Sequence, residues 1–176
     1  TELGSYYMGA CIDIGINTKK IFSSCARNLP YWNKYFSNIK GKYFSSGFLL
    51  INLAALRKAN IDKKWRELAS NNFLYQDMDI LNMTINNKIY PMHSKYCVIP
   101  RYIKSGYETG CNEKFIPQTH LKEIIEKPAI YHFAAKKPWD DKTLVGANIW
   151  WEYIKKYTEL YSYFSMRYEK ISLLKK

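Results

Sequence analysis

The sequence has no apolar run able to cross a bilayer. Its longest, Phe48 to Ile51, falls far short of the roughly 20 residues a spanning helix needs. Its four cysteines, Cys11, Cys25, Cys97 and Cys111, form no C-x-x-C pair, and no histidine lies at zinc-finger spacing from them. The usual signature of a structural zinc site is therefore missing. Two disulfides are arithmetically possible, but cysteines scattered like this point to buried thiols in a reducing, cytoplasmic setting. Thr1 to Tyr7 lacks the charged region and apolar core of a secretory leader. The first residue is Thr rather than Met, which suits a processed end or the edge of a longer chain. There is no internal repeat and no low-complexity tract. Acidic residues are also scarce, 15 against 27 Lys and Arg, leaving a net charge of +12. That surplus draws the chain toward an anion: nucleic acid, an acidic membrane face or a phosphate-bearing substrate. No nucleic-acid motif is present and the basic residues are dispersed, so nucleic acid is not the expected partner.

What is present is a globular chain. Its 176 residues suit one domain, and 47% hydrophobic with 16% aromatic residues supplies enough apolar surface to offset ordering entropy. Tyr6 to Ile12 reads as a buried strand and Asn28 to Phe36 as a short helix around Pro30. Gly47 to Asn52 reads as a strand covered on both faces. Asn60 is placed to cap a helix to about Ser70, with Ile61, Trp65, Leu68 and Ala69 on one face. A second helix starts near Gln76, with Ile80, Leu81 and Ile85 inward. Ala129 to Phe133 reads as another strand. The alternation predicts an α/β fold. From Trp150 onward one basic, aromatic helix is expected, with Trp150, Tyr153, Ile154, Tyr157, Tyr161, Phe164, Tyr168 and Ile171 in a stripe.

Three segments carry chemistry. Lys42 to Leu53 (KYFSSGFLLINL) sets Ser45, Ser46 and Gly47 before a buried strand, where glycine lets backbone approach a ligand. Taken alone, it is also an ordinary turn feeding a strand. Tyr75 to Asn82 (YQDMDILN) puts Asp77 and Asp79 in a first helical turn. There they complement the helix dipole or, at D-x-D spacing, a divalent metal. Tyr131 to Trp139 (YHFAAKKPW) ends a strand in His132 and follows it with Lys136 and Lys137. This suits a core histidine beside a solvated lysine pair, or a metal ligand with a diphosphate-binding cation.

In this order the three segments resemble the family 8 glycosyltransferases, the lipopolysaccharide galactosyl- and glucosyltransferase and glycogenin group. The resemblance runs from about residue 6 to residue 140. It implies the C-terminal part of a GT-A fold over residues 1–145, a mostly parallel sheet with flanking helices, followed by an amphipathic helix over 146–176. It implies retaining transfer of a hexose from a UDP-sugar to a glycan or lipid-linked glycan acceptor, with Mn²⁺ or Mg²⁺, in surface polysaccharide or lipopolysaccharide synthesis. By that match His132 holds the metal and Lys137 touches the diphosphate. Asp77 and Met78 stand at the reacting face, Asp77 also binding the donor sugar, and Ser45, Ser46 and Gly47 line its pocket.

The motifs depart from the family pattern at Ser45, Met78 and Ala135, where the family has Asn, Gln and Gly. All three positions face the ligand. The family's upstream Asp-x-Asp has no counterpart before Tyr6, and Asp77-Met78-Asp79 belongs to a different segment. The expectation is a chain with little activity alone, completed by another polypeptide, or a silent interaction domain of the same ancestry. The basic, aromatic tail is expected either to pack onto the body or to attach peripherally to the anionic inner face of a membrane.

Overall fold

The computed structural model describes residues 2–17, 29–37, 39, 42–103, 118–134 and 136–173. Strand β1 (Met8–Ile12) is buried at every position, as a central strand flanked on both sides should be. It pairs antiparallel with β2 (Phe44–Ile51) and parallel with β3 (Ile89–Met92), in the order β2-β1-β3. The described sheet is thus mixed, where a mostly parallel one was expected. The β1–β2 register shifts between Ala10 and Ile12, and the displaced chain is closed by Asp13 N–H donating to the Tyr43 carbonyl at 3.0 Å.

Among the described residues β2 has a hydrogen-bonded neighbour on one side only. Its burial also falls off toward its far end, where Ile51 is 44% exposed, so it is not covered on both faces as its apolar run suggests. Helices α1 (Ile14–Asn17) and α2 (Leu29–Phe36) precede it; α3 (Leu53–Lys58) and α4 (Ile61–Leu68) follow. Asn60 does not cap α4 through its side chain. It sits at φ 51° between α3 and α4, a left-handed link that Asn tolerates better than most residues. Ile61 and Trp65 pack as expected against the core of Met8, Ala10, Phe44, Leu81, Ile85 and Ile89.

Helix α5 (Gln76–Ile85) crosses β2. Asn82 fastens the two. Its Oδ1 accepts from Phe44 N–H and its Nδ2 donates to the Phe44 carbonyl, both at 2.8 Å. A second core of Ile14, Val98, Ile99, Tyr102, Ile103 and Ile124 joins α1 to α6 (Gln118–Glu126). The expected strand at 129–133 is a single parallel bridge between Val98 and Tyr131. Two bonds hold it, Val98 N–H to Ile130 O and His132 N–H to Val98 O, and the chain then turns as Ala134 N–H donates to His132 O at 2.8 Å.

The tail forms two helices rather than one, α7 (Ala147–Ile154) and α8 (Thr158–Leu173). The turn at 155–157 lets α8 fold back, so Trp151, Trp139 and Trp150 pack against Tyr161, Phe164 and Tyr168. Tyr153 and Tyr157, expected in the packed stripe, stand 59% and 49% exposed beside that turn. Among the described residues no helix is long and apolar enough to cross a membrane. Cys11 and Cys97 are buried free thiols, and burial pushes them up to about 12 and about 11. Cys25, Cys111, Asn28, Ala135 and the last three residues of the tail lie outside the described residues.

Candidate functional site

The polar end of β2, the start of α5 and the end of the Val98–Tyr131 bridge converge on one cavity. Asn82 sets α5 on Phe44, so the first turn of α5 stands over Ser45 and Ser46. The cavity measures about 410 Å³ and includes Asp13, Ser45, Ser46, Gly47, Asp77 and His132 in its lining. That volume lies within the roughly 300–1,000 Å³ of small-ligand sites.

Gly47 has a local reason to be glycine. A Cβ there would stand 2.7 Å from both Cδ2 and Nε2 of His132, so the imidazole lies flat on the glycine backbone. Burial, and then the charge of Lys137, push the His132 pKa below its ordinary value. The ring is therefore neutral at pH 7, the form that ligates a metal or accepts a hydrogen bond. Ser45 is buried; its hydroxyl accepts from Gly47 N–H at 3.2 Å and lies 3.8 Å from Cys97 Sγ.

The two acids of the α5 motif separate. Asp77 is exposed and faces the cavity. Asp79 is fully buried and accepts from Tyr43 O–H at 2.5 Å, Tyr31 O–H at 2.6 Å and Tyr75 N–H at 2.8 Å. Burial and these bonds to Asp79 drive both tyrosine pKa values up. Asp79 therefore braces the turn that presents Asp77. Gln76, between Tyr75 and Asp77, takes φ 49° and also lines the cavity. A non-glycine residue held there stores about 1–3 kcal/mol, a common feature of functional sites.

Of the residues expected from sequence, Ser45, Ser46, Gly47, Asp77, Met78 and His132 share the cavity. Lys137 does not line it; its ammonium donates to the Phe133 carbonyl at 2.5 Å. Met78 also touches the aromatic cluster of Trp32, Phe36 and Tyr43. The structure adds Asp13, Tyr75, Gln76, Arg101 and Tyr102 to the wall. Asp13 is buried and its Oδ1 accepts from Ile16 N–H at 2.8 Å. Burial raises its pKa, against the Ile16 bond and the nearby Arg101 charge. A polar residue closing an all-apolar strand was the available signal for Asp13; no spacing pointed to Arg101.

Among the described residues no group of three or more His, Cys, Asp or Glu side chains is placed to hold a metal ion. These residues alone do not make a complete metal site, and His132 offers at most one ligand to it.

A family model described as "Glycosyl transferase family 8" matches residues 1–143. General stress protein A of Bacillus subtilis (strain 168) is 32% identical over 109 residues, which is 58% of this chain and 37% of the relative. The fold is similar to apo WbbM, a bifunctional glycosyltransferase, with a TM-score of 0.77 at 18% identity over 95% of this chain and 31% of WbbM. It is also similar to LgtC. An active-site mutant of LgtC gives a TM-score of 0.61 at 26% identity, covering 86% of this chain and 52% of that one. The galactosyltransferase LgtC in complex with donor and acceptor sugar analogs gives 0.58 at 24% identity, covering 97% and 54%. The chain thus spans between about a third and about half of these proteins.

Proposed function

The chain belongs to glycosyl transferase family 8 and has a GT-A fold, and we propose that it forms part of a retaining hexosyltransferase. In this reading the donor is a UDP-sugar and the acceptor a glycan or lipid-linked glycan of surface polysaccharide or lipopolysaccharide. The observation that carries it is the meeting of Ser45, Ser46, Gly47, Asp77, Met78 and His132 on one cavity wall, from segments far apart in the chain. That LgtC binds donor and acceptor sugar analogs supports the same substrates here.

The chemistry follows from the side chains. The departing diphosphate leaves a sugar with oxocarbenium character, and the Asp77 carboxylate stabilises that charge while fixing hydroxyls of the hexose. Ser45 and Ser46 offer hydroxyls at the cavity wall, and the bare backbone of Gly47 leaves room for the sugar and the His132 ring. His132, held neutral, would offer one nitrogen to Mn²⁺ or Mg²⁺. Bound there, the cation would neutralise charge on the leaving diphosphate. Lys137 reaches that diphosphate on releasing the Phe133 carbonyl.

A second reading is a catalytically silent interaction domain. Met78 favours it, because a thioether neither donates nor strongly accepts hydrogen bonds at a position where the family carries Gln. A partner chain completing the sheet would meet β2, whose Leu50 and Ile51 are exposed. Transfer of radiolabelled hexose from UDP-hexose, with Mn²⁺, by this chain alone and mixed with such a partner separates the readings. Transfer in either arm that is lost in Asp77→Asn supports the enzyme. Hexose binding without transfer in both arms selects the silent domain.

The tail is proposed to rest on an anionic membrane face. Tyr153, Tyr163, Met166 and Leu173 are all more than half exposed, and Lys156, Arg167 and Lys170 are exposed among them, the mix that seats a helix at headgroup level. Binding to anionic vesicles should weaken with salt. Equal binding to neutral vesicles would count against it.

A further inference from the structure

Among the described residues the cavity wall carries two carboxylates, Asp13 and Asp77, and one cation, Arg101. The lysines that sequence places nearest are engaged elsewhere. Lys137 donates to the Phe133 carbonyl at 2.5 Å, and Lys136 lies 3.5 Å from Asp141. Arg101 itself is exposed, yet it is not a loose surface arginine. It stands in the single-turn helix Pro100–Tyr102, whose outer residues Pro100 and Tyr102 are both buried. Its Nη2 donates to the Tyr102 hydroxyl at 2.6 Å, and the guanidinium carbon lies 4.7 Å from that ring's centroid. Tyr102 in turn belongs to the core of Ile14, Val98, Ile99 and Ile103. A rigid, buried ring therefore aims a planar fork of donors at the cavity.

A guanidinium so positioned matches carboxylate and phosphate oxygens in a way a lysine ammonium does not. Two carboxylates on the same wall would otherwise repel any anionic substrate. We infer that Arg101 receives an oxyanion of the substrate in this cavity, either the diphosphate of the sugar donor or an acidic group on the acceptor glycan. This rests on the transferase reading above and adds to it the residue that admits negative charge past Asp13 and Asp77.

Calorimetric titration with three probes, in the presence of Mn²⁺, tests the assignment: UDP, a methyl hexuronide and a neutral methyl hexoside. In Arg101→Gln, UDP or the hexuronide should bind at least tenfold more weakly than to the unsubstituted chain, with the hexoside unchanged and the thermal midpoint preserved. Loss on UDP alone places the oxyanion on the donor, and loss on the hexuronide places it on the acceptor. Arg101→Lys, which keeps charge and stem but not the fork, should lose severalfold on the same probe, and it carries the test if the Gln variant fails to fold. Unchanged affinity for both anions in Arg101→Gln, or an equal loss on the neutral hexoside, overturns the inference and leaves the transferase reading standing. If none of the three probes binds the unsubstituted chain, the inference falls, while the transferase reading is still decided by the transfer assay with and without the completing partner.

Discussion

The surroundings of Asp79 and Asp77 differ as sharply as any two regions of the molecule, although the residues share the first turn of α5. Asp79 is fully buried, and its carboxylate is occupied by two tyrosine hydroxyls and a backbone N–H. Asp77 looks into a cavity of about 410 Å³ beside Gly47 and His132. A buried charge is tolerated only when its bonds are made within the protein, so Asp79 is committed to structure. Asp77 stands where a ligand can use it. The same three-residue motif therefore separates its acids, one bracing the turn and the other exposed on the cavity wall.

The sharpest way to break that comparison is Asp79→Ala. It removes the Asp79 acceptor from the buried Tyr43 hydroxyl and from the half-buried Tyr31 hydroxyl and Tyr75 N–H, at about 1–3 kcal/mol for a buried group and less for the others. A loss of at least about 3 kcal/mol is expected, which lowers the thermal midpoint by roughly 6–12 °C. A melt within about 2 °C of the unsubstituted chain, by circular dichroism, would remove the bracing role.

Asp77→Asn should do the reverse. Stability should move by less than about 0.5 kcal/mol, while hexose transfer by the completed enzyme drops about a hundredfold, equivalent to roughly 2.7 kcal/mol of barrier. A large loss of stability with transfer intact would exchange the two roles.

Gly47→Ala probes how tightly the cavity wall is drawn. The added methyl meets the His132 ring at 2.7 Å, and overpacking of that kind costs about 1–3 kcal/mol. In a His132→Ala background the penalty should largely vanish, a coupling that a double-mutant cycle measures. Equal penalties in both backgrounds would mean that the ring does not rest on Gly47.

The smallest expected effect is on pH dependence. The His132 pKa is lowered from the ordinary 6.5 by burial and then by Lys137. Between that lowered value and 6.5 the unfolded chain binds more protons than the folded one, so stability falls as pH drops through this window. His93, lowered by burial and by His120, acts in the same direction. Asp13, raised above 3.8, acts in the opposite one. The His132 contribution is therefore the difference in acid sensitivity between the chain and His132→Asn, read from thermal midpoints at pH 7.5 and 5.5. The substituted chain should lose less stability on acidification.

Much of the site was legible because its three segments are contiguous motifs, and local sequence places Ser45, Ser46, Gly47, Asp77 and His132 at the ends of elements. The parts that escaped depend on partners distant in sequence. Arg101 and Asp13 reach the wall through packing of Tyr102 and the turn after β1, and neither has a periodic signal. Lys137 reads as a free cation, yet its reach is set by the Phe133 carbonyl, which no spacing reveals. The apolar run of β2 suggests burial on both faces, but that depends on what packs over each face rather than on the run itself. The tail shows an unbroken period of three to four residues, and only the fold-back that brings Tyr161 and Tyr168 onto Trp151 shows why it breaks at 155–157.

The central claim, that Asp77 faces the hexose of a nucleotide sugar, is tested most directly by calorimetry with Mn²⁺ on the chain and on Asp77→Asn. The account predicts that UDP-hexose binds the variant at least tenfold more weakly while UDP binds both alike. Equal affinity of both proteins for UDP-hexose, or a matching loss for UDP alone, would contradict it.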